Sequence, residues 1–232
     1  RQAIVELFHS RVIPADGRWK GVDRYAGPAG IIPTGLACGH AAELLAAAWK
    51  VNVIVADIAE STLNLYSVID NEPNRTVIDE CGLNYDCPAS LSALADAALL
   101  WLPVDIGREE AGNVLATQRL RPAAVPQTWK ELLVQQAAGR ERLRVALDGH
   151  RKVAALLKGI HRQRNIDEVL GTYISVGGQT IVDLSRVSVI MATGRQVAAA
   201  TTPGQAMSLI VDGLQPQGIT QVLADERGLL PH

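Results

Sequence analysis

The stretch Val51–Asp70, VNVIVADIAESTLNLYSVID, decides how the chain folds. Val51 to Ala56 is a continuous apolar run rich in β-branched residues, which reads as a strand buried on both faces. It ends on an acid, Asp57, followed by the small and polar segment Ala59-Glu60-Ser61-Thr62. Leu63 to Ile69 then alternates apolar and polar residues, the pattern of a strand covered on one face. The two runs make a β-hairpin. An acid at the end of a buried strand, beside a small-residue turn, can organise a metal and phosphate; it can equally cap the turn.

Working outward, a third strand is expected over Arg75–Glu80 after a turn at Asn71-Glu72-Pro73-Asn74, which completes an antiparallel meander. Upstream, Ile31-Ile32-Pro33-Thr34 leads into a helix from Leu36 to Trp49, with Thr34 as N-cap and small residues on every face, so that it packs closely and is well buried. Before it, Gln2–Val12 has helical spacing, and residues 14–30 read as a long loop rich in Gly, Pro and Asp.

From Pro88 to about Leu170 every signal is helical: Ser90–Trp101, Ile106–Leu120 and a long helix over Gln127–Lys158. The cations of that long helix (Arg140, Arg142, Arg144, Arg151 and Lys152) read as a solvated face, and Gly139, Gly149 and Gly159 as points where it breaks or kinks. The last third returns to mixed structure. Tyr173–Val176 and Gln179–Val182 bracket Gly177-Gly178 as a hairpin signal. A strand over Val187–Met191 ends in Ala192-Thr193-Gly194, a helix runs from Thr202 or Pro203 to Leu214, and a strand spans Ile219–Ala224. Strand, helix, strand is a βαβ unit with parallel pairing. The expected organisation is therefore residues 1–87 as the first part of an α/β domain, 88–170 as a helical insertion, and 171–232 as its second part.

Composition narrows the function classes. The chain has 232 residues, is 48% hydrophobic and only 4% aromatic, so its core is built from Ala, Val, Leu and Ile. A net charge of −2 gives no reason to expect nucleic acid or an anionic membrane surface. No apolar run approaches the roughly 18–20 residues that span a bilayer. Cys38, Cys81 and Cys87 form neither a metal-ligand pattern nor an even disulfide set, which fits reduced thiols in the cytoplasm. His40 on the first strong helix reads as a core or edge histidine, and no Gly-x-Ser-x-Gly supports nucleophilic catalysis. The chain opens at Arg1 inside an amphipathic pattern and is expected to be a piece of a longer protein.

An antiparallel meander joined to βαβ units resembles the half-domain plan of the actin-like ATPase superfamily, with its ribonuclease H-like fold. Ile32-Pro33-Thr34 through Trp49, followed by Val51–Asp57, is similar to the segment preceding that superfamily's second phosphate loop. Val187–Gly194 followed by Pro203–Leu214 is similar to its adenosine-binding segment. More closely, the chain resembles the C-terminal half of the L-protein (MutL/GlmL-type) family associated with adenosylcobalamin-dependent glutamate mutase, which is distinct from the mismatch-repair protein of similar name. The match is carried by IIPT, VADIAESTLNLYSV, ECGLNYDCPASL, Pro126-Gln127-Thr128 with Ala146-Leu147 and His150, VDLSRVSVIMATG, Leu214-Gln215-Pro216 and Gly228-Leu229-Leu230-Pro231.

The resemblance implies an ATP-dependent chaperone or reactivating factor for a cobalamin mutase. It implies Mg-ATP between two half-domains, with the first phosphate loop upstream of this chain. It would place Asp57, Thr62 and Gly194 at the nucleotide, with Asp57 organising Mg²⁺ through water. The family's loop resembles Asp-Ile-Gly-Gly-Ala-Thr-Thr-Asp, whereas this chain reads Asp57-Ile58-Ala59-Glu60-Ser61-Thr62-Leu63-Asn64. Both glycines that let backbone N–H groups approach phosphate are replaced. A carboxylate such as Glu60 about 4 Å from a phosphate costs roughly 1–4 kcal/mol per charge pair at effective dielectrics of 80 to 20. The expectation is a degenerate actin-like domain acting as a binding or chaperone module for mutase subunits. Two alternatives stand beside it: an active reactivating ATPase, and a structural or oligomerisation domain.

Overall fold

The structure is a computed structural model and describes residues 11, 32–59, 62–78, 88–122, 124–154 and 181–230. The expected Gln2–Val12 helix, the 14–30 loop and the Gly177-Gly178 hairpin lie outside the described residues. So do Glu60, Cys81, Cys87 and Gly159.

Helix α1 (Thr34–Trp49) is followed by strands β1 (Val53–Ile58), β2 (Leu63–Ile69) and β3 (Glu72–Ile78). Helices α2 (Pro88–Leu99), α3 (Arg108–Leu120) and α4 (Trp129–Val153) come next. Then follow β4 (Val189–Thr193), the short α5 (Arg195–Ala198), α6 (Pro203–Leu214) and β5 (Gln221–Ala224). The strands form one mixed sheet in the order β3-β2-β1-β4-β5. β1 pairs antiparallel with β2 and parallel with β4, and β4 pairs parallel with β5. This α/β architecture, a meander plus a parallel β4–α–β5 unit, is consistent with the actin-like half-domain expected from the sequence.

Because side chains alternate along a strand, β1 and β2 feed two separate cores. Ile54, Ala56, Ile58, Leu63, Leu65 and Ile69 face α4 and α6, where they meet Leu143, Ala146, Leu209, Ile210 and Leu214. Val53, Val55, Tyr66 and Val68 face α1 and meet Cys38, Ala42 and Ala46. β2 is therefore buried on both faces along its whole length, not on one. Its alternating polar residues are absorbed by partners from the covering elements, as His150 shows for Ser67.

Several local expectations change for identifiable reasons. The β2–β3 turn is the two-residue Asp70-Asn71, with φ of 52° and 66°, so β3 starts at Glu72. Positive φ at both central residues is the type I′ geometry that matches strand twist. Pro73, which suggested a turn, sits inside β3, where an edge strand tolerates it. Pro33, not Thr34, is the N-cap of α1, and no side chain caps it. α1 buries one stripe, Cys38, Ala42 and Ala46, while Leu44, Trp49 and His40 are exposed among the described residues.

α4 runs unbroken for 25 residues through Gly139 and Gly149. Thr128 caps it by accepting from the Glu131 N–H, with the Glu131 carboxylate accepting from the Gln127 N–H. Gly139 is a point of close approach rather than a break: a Cβ there would lie 2.8 Å from Leu209 Cδ1. Gly213 on α6 answers it, with a Cβ position 2.6 Å from Leu143 Cβ. The two glycines let α4 and α6 pack at short range. The first half of α4 also packs with α2 and α3 through Val134, Ala137 and Ala138 against Ala95, Ala98, Ala111 and Leu115. α4 thus belongs to both the helical layer and the sheet layer.

His150 fastens the second half of α4 to the meander. It is fully buried, with Nδ1 2.7 Å from Thr76 Oγ1 and Nε2 2.8 Å from Ser67 Oγ. A neutral imidazole offers one donor and one acceptor, which two hydroxyls can satisfy. Burial pushes its pKa down to about 4 from 6.5. The unfolded chain therefore binds a proton in a pH range where the folded one does not, and stability falls as pH drops from about 6.5 to about 4, by about 3 kcal/mol in total. His150→Leu is expected to lower stability at pH 7 by about 1–3 kcal/mol, because the Ser67 hydroxyl loses its partner. Urea unfolding at several pH values checks this: the gap between parent and variant should narrow toward pH 4. A gap that is constant with pH would refute the account.

Candidate functional site

The chemistry-bearing residues gather where β1, β4 and β5 end. The register sets Asp57 of β1 opposite Asn64 of β2 on one side and Thr193 of β4 on the other. Asp225 follows β5, and its N–H donates to the Ala192 carbonyl at 2.8 Å. A polar row, Asn64–Asp57–Thr193–Asp225, therefore crosses the sheet on the face that α1 covers. Strand ends at this edge of an open α/β sheet are where ligands commonly bind.

The row is bonded within itself. Asn64 Nδ2 donates to Asp57 Oδ2 at 3.1 Å, and Thr193 Oγ1 donates to Asp225 Oδ2 at 2.8 Å. Asp225 also accepts the N–H groups of Leu229 at 2.9 Å and Leu230 at 2.7 Å, which folds the tail back onto the strand end. The two acids sit in different electrostatic states. Burial raises the Asp57 pKa, and the Asn64 hydrogen bond and the Arg75 charge offset this only in part. Burial also pushes Asp225 up, but the backbone N–H groups of Leu230 and Leu229 and the Thr193 hydroxyl outweigh it, leaving the carboxyl below its usual range. Cys38 of α1 faces both acids; burial first, then the charges of Asp57 and Asp225, push its thiol up to about 12. Such a thiol is inert at neutral pH.

Gly194 closes the same edge. Its φ is +97°, and a Cβ there would lie 2.6 Å from the Ile58 carbonyl oxygen and 2.8 Å from the Ile58 nitrogen. The ends of β1 and β4 therefore touch backbone to backbone, which only glycine permits. Of the residues named from sequence, the structure brings Asp57 and Gly194 to one edge. Thr62 stands just before β2, half-buried, outside the paired row and outside its hydrogen bonds.

Arg142 is the residue that sequence reasoning placed wrongly. Instead of lying on a solvated face it is 1% exposed, and its Nη2 donates to the Ala59 carbonyl at 3.3 Å, at the start of the β1–β2 turn. The signal was present in the spacing: Ala138, Arg142, Ala146 and His150 recur every four residues on α4, and all are buried. Arg140 and Arg144 sit on other faces and pair with Asp212 and Glu141, at 2.7 and 2.6 Å. Among the described residues, no group of three or more His, Cys, Asp or Glu could hold a metal ion. Nor, among them, is any helix long and apolar enough to cross a membrane.

Two substitutions probe this edge. Gly194→Ala should lose stability at or beyond the ~3 kcal/mol upper end of ordinary point substitutions, read from the denaturant midpoint; a loss under about 1 kcal/mol would show that the β1–β4 contact relaxes freely. Asp57→Asn should raise the midpoint at pH 7. A folded pKa above the unfolded one means that ionisation costs stability as pH rises through that range, and the amide oxygen can still accept from Asn64. A lower midpoint would overturn the reading of Asp57.

No curated protein matches the chain. A family model, described as MutL protein, matches residues 1–232, the whole chain, and the protein therefore belongs to the MutL family of glutamate mutase L-proteins.

Proposed function

We propose that this domain is a degenerate phosphate-loop module of the MutL family that serves a cobalamin-dependent mutase, such as glutamate mutase, as a binding or chaperone element rather than by hydrolysing Mg-ATP. Membership of the family supports an association with glutamate mutase. The observation that carries the rest is the closure of the strand-end row. Asp57, the acid expected to organise Mg²⁺ through water, is 5% exposed, accepts from Asn64 and has its pKa raised by burial. A carboxylate that organises a hydrated divalent cation needs to be open to water.

The remaining residues of the edge fit Mg-ATP no better. Ala59 and Glu60 stand where the family's loop has glycines, and a side chain at either position opposes the backbone geometry of an anion nest. Asp225 already accepts from two backbone N–H groups and the Thr193 hydroxyl. Arg142 brings a cation to the end of β1, where its Nη2 donates to the Ala59 carbonyl. Together these residues hold the strand ends closed.

Calorimetric titration of the full-length natural protein with Mg-ATP tests the nucleotide half of the proposal. No heat of binding is expected; a Kd below about 100 μM, near −5.5 kcal/mol, would restore the ATPase reading. The partner half is tested by pull-down of the tagged full-length protein from cells that express a cobalamin mutase. Enrichment of mutase subunits, retained in Asp57→Asn, is expected; equal recovery from a control resin would remove the mutase assignment.

A further inference from the structure

We infer that Gln118, Gln136 and Gln196 form a buried hydration site holding one or two ordered waters, which joins the helical layer to the segment leaving Gly194. This site is separate from the strand-end row and does not depend on the proposed function. The three glutamines come from three different helices, α3, α4 and α5, and are 7%, 5% and 7% exposed. Among the described residues, Oε1 of Gln118, Oε1 of Gln136, and both Oε1 and Nε2 of Gln196 make no hydrogen bond within the protein. The bond from Gln136 Nε2 to the Gln196 carbonyl, at 3.4 Å, is long.

Buried amide atoms in native proteins are almost always satisfied, by protein or by ordered water. Leaving four of them bare at one place would consume a large fraction of a domain's net stability. All three glutamines line one small cavity, with Leu132 on the α4 side and Arg195 and Ala199 on the α5 side. Its volume is about 30 Å³. One water needs roughly 10–15 Å³ together with two to four polar partners, so the space fits one or two waters. Gly139 makes the arrangement possible: a Cβ there would lie 2.7 Å from Gln196 Oε1, so the bare Cα is what admits the Gln196 amide beside α4.

Water satisfies these groups where direct bonding does not, because one water can donate to two Oε1 atoms and accept from the Gln196 Nε2 at once. The contact between the helical layer and α5 is then wet, unlike the apolar packing of Leu143 against Leu209, Ile210 and Leu214 between α4 and α6. The tests are water-to-protein cross-relaxation by NMR and comparison of single and triple variants. In the unmodified protein, cross-peaks of long-lived water to the side-chain amide protons of Gln136 and Gln196 are expected. Gln136→Leu alone should lower the urea midpoint, since it leaves the neighbouring amides short of a partner. The triple variant Gln118→Leu/Gln136→Leu/Gln196→Leu should recover most of that loss by removing every polar group at once. Absence of the cross-peaks in the folded, unmodified protein would overturn the inference. So would a triple variant whose midpoint falls by the sum of the three single losses.

Discussion

Everything in this fold is arranged around β1, which is bonded on both edges and covered on both faces. Its neighbours in the sheet are β2 and β4, running in opposite senses, and its side chains divide between the α1 core and the α4–α6 core. A strand so enclosed has no tolerance for register error, since a shift of one residue would exchange Ile54, Ala56 and Ile58 for Val53, Val55 and Asp57 on each face. That constraint puts Asp57 where it is. Once the apolar alternation is fixed, the acid must fall on the α1 side at the strand's end, beside Asn64, Thr193 and Asp225, whatever its role.

The helical layer is tied to this strand by α4. Apolar contacts attach it at both ends of its length, and two polar side chains on one stripe do more specific work: His150 grips β2 and β3, and Arg142 reaches the turn after β1. Neither could be placed by hydrophobicity alone, because burying an imidazole or a guanidinium is unfavourable unless partners wait for it. Those partners lie far away in sequence.

The strand-rich parts of the fold were legible from the chain because their information is local. The β-branched run of Val51–Ala56, the alternation of Leu63–Ile69 and the Thr202-Pro203 helix start each announce their structure within a few residues. What was not legible depends on distant neighbours. The parallel pairing of β1 with β4 joins segments with the whole helical region between them, and the burial of Arg142 follows from an i, i+4 stripe visible only when charge is set aside. The β2–β3 turn was misplaced because Pro73 is a stronger signal in isolation than Asp70-Asn71, and only the edge position of β3 removes the conflict. At the strand ends, the side chains carried by Ala59 and Glu60 could be read directly from sequence. The assembly of the whole row could not, because bringing Thr193 and Asp225 beside Asp57 and Asn64 needs the β1–β4 pairing, which sequence order alone does not give.

The pairing of Val53 with Val189 also governs how this chain reaches its native state. The meander and α1 make contacts between near neighbours in sequence, whereas the second edge of β1 stays bare until β4 arrives from beyond the helical region. Closing so long a stretch of chain carries an entropy cost that slows such pairings. Until then β1 presents an apolar, hydrogen-bonding edge, the kind that recruits foreign strands. The chain thus carries, in its own central strand, a vulnerable stage of assembly whose length is set by the helices that precede β4.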